Sequence, residues 1–390
     1  MFRHAEEFPS VRTWTIRYWY SLPTSPVVSS LADPSHSLFF TSNLAVLSSL
    51  ADHPHSQFFR RDRIKFHKVL CDAAARGGQL EVLQWLRENS CPWSASTCAA
   101  AANEGHFKVL KWLRENGCEW NVETCSGAAG GGHLEMLQWA REHHCPWDTW
   151  TCEKAARGGH LGVLQWARAN GCKWCDCMCE HAAEAGQLDV LKWLRANGAS
   201  WDETTCMRAA ECGDLEILQW ARGNGAPWDS ETCAQAAEHG HLEVLKWAHL
   251  NGCGWCDCIC QHAADGGNVD VLQWLRLNGA TWDKKTCAAA AGAGHLEALK
   301  WLRANNAPWG KTTCDKAAFG GHLHVLKWLK ANGGTFDTQT TAAAAEGGNL
   351  DVLKWLRANG APWDERTYEK AEEGNWLDVM LWLRRHKAPR

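Results

Sequence analysis

Two short stretches of this chain are dense in cysteine. Each places four cysteines in eight residues with the spacing C-x-x-C-x-C-x-C: Cys172, Cys175, Cys177 and Cys179 in one, and Cys253, Cys256, Cys258 and Cys260 in the other. Thiolates in a tetrahedral arrangement bind Zn²⁺ and other soft metals. One hypothesis from this spacing is therefore a thiolate metal-binding or redox protein that uses the two clusters.

Several of these cysteines also belong to series with a spacing of 27 residues. Nine cysteines hold one such position: Cys98, Cys125, Cys152, Cys179, Cys206, Cys233, Cys260, Cys287 and Cys314. Equivalent residues of stacked repeats lie roughly 8–10 Å apart, whereas a disulfide needs Cα atoms within about 7 Å. This series is therefore predicted to be a column of small buried side chains in a reducing compartment. Since the clusters lie three repeats apart, one block duplication would also explain them, and no cofactor is expected.

Histidine is the other reactive residue type that recurs at a fixed place. Six of the 19 histidines stand where a helix is predicted to begin, which is a position for a cap or turn residue: His106, His133, His160, His241, His295 and His322. The sequence has no nucleophile–base pairing, phosphate-binding loop or dinucleotide-binding glycine pattern. It therefore predicts a protein that is not an enzyme.

The tryptophans reveal the elements that carry these residues. Twelve of them recur every 27 residues: Trp85, Trp112, Trp139, Trp166, Trp193, Trp220, Trp247, Trp274, Trp301, Trp328, Trp355 and Trp382. Ten more lie eight residues later in each unit, and Phe336 fills the one gap. A fixed period of this length indicates a solenoid. Counting back from Arg390 gives twelve units that begin at His67.

Each unit is predicted to form two short antiparallel helices. Over residues 202–228, Asp202 is a good N-cap for the first helix, and Trp201 and Cys206 hold the two positions of a hydrophobic staple. The second helix has an apolar face at helical spacing and stops at Gly225. So small a unit should fold only against its neighbours.

The string Ala-Ala-x-x-Gly-His-Leu-Glu-Val-Leu-Lys-Trp-Leu-x-x-Asn-Gly-Ala, clearest over residues 236–252 and 317–333, resembles the ankyrin repeat. The unit is shorter than the ankyrin repeat of about 33 residues, and the missing residues fall where ankyrin forms a β-hairpin finger. The resemblance covers residues 67–390. It implies an all-α solenoid of twelve ankyrin-like helix pairs, in a short, Trp-rich variant that lacks the finger, and a function in protein–protein interaction.

A partner-binding surface is expected where the units differ from one another. The resemblance implies that the first helices line a concave face, and two variable positions lie on these helices, on either side of the Ala-Ala pair. The first holds Lys154, His181, Arg208, Gln235, His262 and Lys316, and the second holds Arg157, Glu184, Glu211, Glu238, Asp265, Phe319 and Glu346. Their spacing predicts the i,i+3 pairs His181/Glu184, Arg208/Glu211, Gln235/Glu238 and His262/Asp265. They are either a solvated helix face or a polar ladder that recognises a protein, with Phe319 as an anchor.

The bulk composition limits the kinds of partner. Forty basic and 44 acidic residues give a formal net charge of −4, without the basic excess of a nucleic-acid binder. No apolar run approaches the length of a membrane helix, and residues 1–10 lack the apolar core of a signal peptide. We expect an intracellular, cytoplasmic monomer. The weak basic cluster over residues 60–65 leaves a nuclear location as the second option.

The N-terminal residues do not follow the repeat. Residues 1–53 are predicted to be an irregular segment, which could be a helical cap, a flexible tail or a misassigned start of translation. Phe58 and Phe66 fall in register with the two tryptophan positions, so a degenerate half-repeat is expected from residue 54 and the solenoid extends over 54–390. The leading hypothesis is a non-enzymatic scaffold that binds a protein through its concave face, and the alternative is the thiolate metal-binding or redox protein.

Overall fold

The computed structural model describes residues 69–389, in which all regular structure is helical. The chain divides into two compact units, Met1–Cys175 and Asp176–Arg390. The irregular segment, the half-repeat and the basic cluster that were predicted before residue 69 lie outside the described residues, and so does the predicted boundary at residue 53. Among the described helices, none has both the length and the apolar character that crossing a membrane requires.

The described part of the first unit contains four pairs of helices. Within each pair, the first helix carries an odd number and the second an even one. The helices are α1 (69–76), α2 (Leu80–Glu88), α3 (Ala95–Asn103), α4 (Phe107–Glu115), α5 (Val122–Gly130), α6 (Leu134–Glu142), α7 (Thr149–Arg157) and α8 (Leu161–Ala169).

The described part of the second unit contains eight further pairs, so the all-α fold of paired repeats that was predicted is confirmed. The helices are α9 (Met178–Glu184), α10 (Leu188–Ala196), α11 (Glu203–Glu211), α12 (Leu215–Gly223), α13 (Ser230–Glu238), α14 (Leu242–Leu250), α15 (Ile259–Asp265), α16 (Val269–Leu277), α17 (Lys284–Gly292), α18 (Leu296–Ala304), α19 (Lys311–Phe319), α20 (Leu323–Ala331), α21 (Thr338–Glu346), α22 (Leu350–Ala358), α23 (Glu365–Glu373) and α24 (Leu377–Arg385).

Six of the described first helices start at a residue whose side chain caps the helix, and these helices bury their small residues. In α11, Asp202 is the predicted N-cap, and its Oδ1 accepts a hydrogen bond of 3.1 Å from the backbone N–H of Thr204. The bond satisfies one of the free N–H groups of the first turn. Cys206, Ala209 and Ala210 are completely buried. The two alanines let consecutive first helices pack directly against each other throughout each unit.

The second helix supplies the large apolar side chains. In α12, Ile217, Leu218 and Ala221 are completely buried, whereas Trp220 is only half-buried. Gly225 follows the helix with φ +86°, a conformation that favours glycine. The core therefore consists of aliphatic side chains from second helices and small side chains from first helices, with the tryptophans at its edge.

The tryptophans connect one helix pair to the next. Within each unit, the tryptophan that follows a described second helix, or Phe336 in its place, meets the tryptophan of the following second helix edge to face. Trp201 and Trp220, for example, have ring centroids 5.9 Å apart at an interplanar angle of 67°. The guanidinium of Arg195 lies 4.0 Å from the ring centroid of Trp201. Edge-to-face pairs contribute about 0.5–1.5 kcal/mol beyond the area they bury, so these contacts stabilise the stacking of neighbouring pairs.

A second inter-repeat contact involves the residue at the start of several second helices. The Nε2 of His241 donates to the backbone carbonyl of Glu211 at 3.0 Å, and the Nδ2 of Asn268 donates to that of Glu238 at 2.6 Å. These side chains thus satisfy carbonyl groups at the C-terminus of the preceding first helix, which have no partner within their own helix. Of the histidines predicted to be caps or turn residues, His106, His133 and His241 each cap the first helix of the preceding pair.

Candidate functional site

The twelve predicted partner-binding residues all lie on first helices and reach solvent. Lys154 and Arg157 lie on α7 of the first unit, where the Nε of Arg157 is 3.6 Å from the Oε1 of Glu153. The other ten lie in the second unit. We call them the first-helix face: His181, Glu184, Arg208, Glu211, Gln235, Glu238, His262, Asp265, Lys316 and Phe319. Because consecutive first helices pack on one another, equivalent positions of neighbouring repeats are brought side by side.

Arg208 forms the centre of an ion-pair network on this face. Its Nη1 lies 2.7 Å from the Oε2 of Glu211, one turn along α11, and its Nε lies 3.0 Å from the Oε1 of Glu180 on α9. Hydrogen bonds to Glu211 and then to Glu180 raise the pKa of Arg208. Glu180 was not among the predicted residues. It occupies a different helical position, and only the stacking of α9 on α11 brings it to Arg208.

The two histidines of the first-helix face make different contacts. The Nδ1 of His181 lies 3.6 Å from the Oε2 of Glu184 on the same helix. The Nδ1 of His262 instead lies 3.0 Å from the Oε2 of Glu238 on the preceding first helix. Within the described residues His262 makes no ion pair with Asp265, so the i,i+3 prediction for this pair was wrong. Gln235 offers its backbone carbonyl to the Nδ1 of His239 at 3.1 Å.

An apolar side chain interrupts the polar surface farther along the second unit. Phe319 is 47% exposed, and the Nζ of Lys316 lies 5.9 Å from the centroid of its ring. A comparable residue in the first unit is Trp150, which is 55% exposed on α7. Trp150 was missed in the sequence, although its position outside the two periodic tryptophan series was a usable signal.

The first-helix face is acidic between α9 and α15. The helices carry the carboxylates of Glu180, Glu184, Glu211, Glu238 and Asp265 against the single guanidinium of Arg208. All of these side chains reach solvent. Clustered charges of one sign on a surface attract ligands of the opposite sign. This part of the face is suited to contact a positively charged chain.

The eight cysteines of the two clusters divide into two environments. Cys172, Cys179, Cys253 and Cys260 are buried, whereas Cys175, Cys177, Cys256 and Cys258 are half-buried. Burial raises the pKa of Cys260 to about 11. The Sγ of Cys253 donates to the backbone carbonyl of Asp229 at 3.1 Å. These four thiols belong to the core, and the burial of Cys179 and Cys260 agrees with the predicted column of buried cysteines.

The half-buried cysteines lie next to a histidine that the sequence analysis did not connect with them. Cys256 and Cys258 are joined by a disulfide. The potential ligand atoms of Cys256, Cys258 and His262 all lie within 4.8 Å of one another. His262 follows Cys258 by four residues, which is one turn of helix, and that spacing was the available signal. Because His262 lies at a position that varies between repeats, it was predicted to bind a partner instead.

A pairing of buried cysteines was also missed. The Sγ atoms of Cys71 and Cys91, which are 20 residues apart in one repeat, lie 3.2 Å from each other. The Sγ of Cys125 points at the backbone carbonyl of Cys145 over the same separation. The two cysteine positions of a repeat thus meet inside one helix pair. The separation predicted from the sequence concerns equivalent cysteines of different repeats, whereas this contact joins two cysteines of the same repeat.

Comparisons with known proteins found one matching family model and similar solved structures. The sequence model of the family described as ankyrin repeats (many copies) matches residues 179–228 and 286–329. Among solved structures, the human ASB11 ankyrin repeat domain is similar to this chain with 19% identity and a TM-score of 0.35, over 45% of this chain and 96% of that one. No curated protein matches the chain.

Proposed function

We propose that the chain, two stretches of which match the sequence model of ankyrin repeats, is a non-enzymatic scaffold that binds a protein partner through the first-helix face of its second unit. The resemblance to ankyrin repeats favours a role in protein binding. The observation that supports this proposal most is the run of charged side chains on adjacent first helices. It differs from repeat to repeat, while the buried residues around it stay nearly constant.

The partner segment carries lysine or arginine. The carboxylates of Glu184, Glu211, Glu238 and Asp265 lie at the same position of successive first helices. An extended basic segment that crosses these helices could pair with them in turn. Arg208 holds Glu211 and Glu180 in place, which reduces the side-chain entropy that binding would otherwise cost.

Phe319 supplies the apolar anchor of the same surface. An aromatic side chain that is 47% exposed gains free energy when a partner covers it, and such residues often dominate the binding energy of an interface. We therefore place the basic part of the partner over α9–α15 and an apolar side chain of the partner near α19.

The proposal extends to the form and location of the protein. The repeats are a short, Trp-rich form without the β-hairpin finger, which is supported by connections such as residues 197–202 that contain no strand. Contacts with the partner then come from helices, since fingers are lacking. We place the solenoid over residues 54–390. We expect an intracellular protein, because its core depends on reduced thiols such as Cys206. We also expect a monomer that does not bind nucleic acid, since the chain has no basic excess.

The test is capture of a partner by the intact chain and by matched variants. The variant R208A/E211A/F319A removes the ion-pair centre and the anchor. The control variant E297A/K300A removes a similar i,i+3 pair, with Nζ and Oε1 2.8 Å apart, from the second helix α18. We expect a protein that the wild type and the control both capture, and that the first variant loses while its helical circular dichroism is retained. Equal capture by all three proteins would exclude this face.

A further inference from the structure

Two first helices of the second unit begin differently from the other described ones. α9 and α15 have seven residues, whereas every other first helix from α3 onward has nine. In α15 the residues equivalent to the capping Asp202 and to Thr204 are Cys256 and Cys258. Cys258 becomes the N-cap residue and makes no side-chain capping bond. This repeat has therefore given up a stabilising cap, a local departure that is expected at functional sites.

The replacement of the capping residues by Cys256 and Cys258 is accompanied by a histidine, His262, one helical turn after Cys258. Position 262 is occupied in other repeats by residues such as Lys154, Arg208 and Gln235. Histidine occurs there only in the two repeats that carry Cys-Asp-Cys, which gives the string Cys-Asp-Cys-x-x-x-His twice in the sequence. The two copies have diverged elsewhere, for instance Lys173 against Gly254. A block duplication alone does not explain why the string was retained while its surroundings changed.

The geometry of the copy at α15 suits a soft metal ion. The sulfur atoms of Cys256 and Cys258 and a ring nitrogen of His262 lie within 4.8 Å of one another, and all three side chains are half-buried. Glu238 accepts a hydrogen bond from the Nδ1 of His262 at 3.0 Å. A carboxylate that holds one nitrogen of a histidine orients the other nitrogen toward a metal, as is usual for histidine ligands.

We propose that Cys256, Cys258 and His262 form a zinc site with two thiolate ligands and one imidazole ligand. The fourth position is open to water or to a group from a partner. Glu238 is the positioning residue for His262. The buried Cys253 and Cys260 take no part, so the ligand set differs from the four-thiolate arrangement that the spacing alone suggested. Two thiolates balance the charge of Zn²⁺, so the loaded site carries no net charge.

Loading of the site depends on the redox state of the two cysteines. The disulfide between Cys256 and Cys258 is opened by two equivalents of a small thiol, which are oxidised to their own disulfide while both protein sulfurs gain a proton. Binding of Zn²⁺ then releases these two protons as the thiolates coordinate. The disulfide form cannot offer the two thiolates, so oxidation empties the site.

The test is metal binding by the full chain. The reduced, metal-free protein is titrated with Co²⁺, whose bond to thiolate produces a charge-transfer absorption, and Co²⁺ is then displaced by Zn²⁺. We expect C256S/C258S to bind one equivalent fewer than the wild type. H262Q should weaken zinc binding at α15 by at least about 10-fold, and E238Q by about 10–100-fold. The control C212S, which changes an exposed cysteine of the same unit, should bind like the wild type.

Several results would overturn the proposal. They are the absence of a thiolate–cobalt band in the reduced wild type, an unchanged stoichiometry in C256S/C258S, or equal binding by the oxidised and reduced proteins. Circular dichroism separates loss of the site from loss of the fold. The result does not depend on the scaffold function, because C256S/C258S leaves all ten residues of the first-helix face in place.

Discussion

Two helix pairs of the second unit, α11/α12 and α15/α16, have equivalent core residues and differ at the start of their first helix. Cys206 and Cys260 occupy the same buried position, and Leu218 and Leu272 are both completely buried. The first pair begins at a capping aspartate, and the second begins at a cysteine without a side-chain cap. The comparison shows that the residues at the start of a first helix can change while the buried residues of the same repeat stay equivalent.

There is a physical reason why the start of the first helix can change independently of the core. The core contacts are made by buried residues such as Cys206 and Cys260, whereas the residues that differ, Asp202 in one repeat and Cys256 and Cys258 in the other, reach solvent and contribute little to the core. Loss of a cap costs about 1 kcal/mol, whereas loss of a large core side chain costs about 2–5 kcal/mol. A repeat that stacks on two neighbours can tolerate the smaller loss.

The largest expected effect tests whether the two cores are equivalent. Leu218→Ala and Leu272→Ala should each lower the free energy of unfolding by about 2–5 kcal/mol, because each leaves a cavity in a fully buried site. The measurement is urea denaturation followed by circular dichroism under reducing conditions. A loss several-fold smaller at Leu272 would contradict the equivalence and indicate a looser core beneath the cysteines.

A smaller effect is expected from exchanging the first turns. C256D/C258T gives α15 the Asp-x-Thr start of α11 and should raise the free energy of unfolding by up to about 1 kcal/mol, while metal binding at this repeat is lost. D202A should lower it by about 1 kcal/mol, since Asp202 holds the N–H of Thr204. Both are measured with reductant present. If C256D/C258T proves less stable than the wild type, the cysteine turn contributes packing that the cap cannot replace.

The smallest effect concerns the arginines that cover tryptophans. Arg222 lies 4.1 Å from the ring centroid of Trp228, and Arg276 lies 4.5 Å from that of Trp282. Replacing either arginine by methionine should cost about 0.5–1 kcal/mol. The loss should be greater at Arg222, which also donates to the carbonyl of Ala226. Thermal unfolding of the two variants checks this, and a larger loss at Arg276 would reverse the expected order.

The local features of the fold could be predicted because they depend on neighbours in sequence. Asp202 as an N-cap, Gly225 at positive φ and the burial of Ala209 follow from capping rules and helical periodicity. The tryptophans were only partly predicted. Their spacing placed them in the repeat, but the edge-to-face contact of Trp201 with Trp220 depends on how far one pair is offset from the next.

The candidate sites could be predicted only as sets of positions. The sequence placed His262 beside Asp265 by helical spacing, whereas it contacts Glu238 of the preceding repeat. Arg208 contacts Glu180 for the same reason. Pairs within one helix follow from the pitch of 3.6 residues, but pairs between helices depend on the rotation and shift of one helix on another.

The chain's own order of residues determined the period, the two helices of each repeat and the small residues along which first helices pack, because each of these follows from contacts over a few residues. Only the tertiary structure decided which side chains of adjacent repeats meet. Stacking placed Glu180 beside Arg208, Glu238 beside His262, and the His241 side chain at the C-terminus of the first helix of the preceding pair. Such contacts join residues about 24–30 positions apart, and their geometry is set by packing between helices.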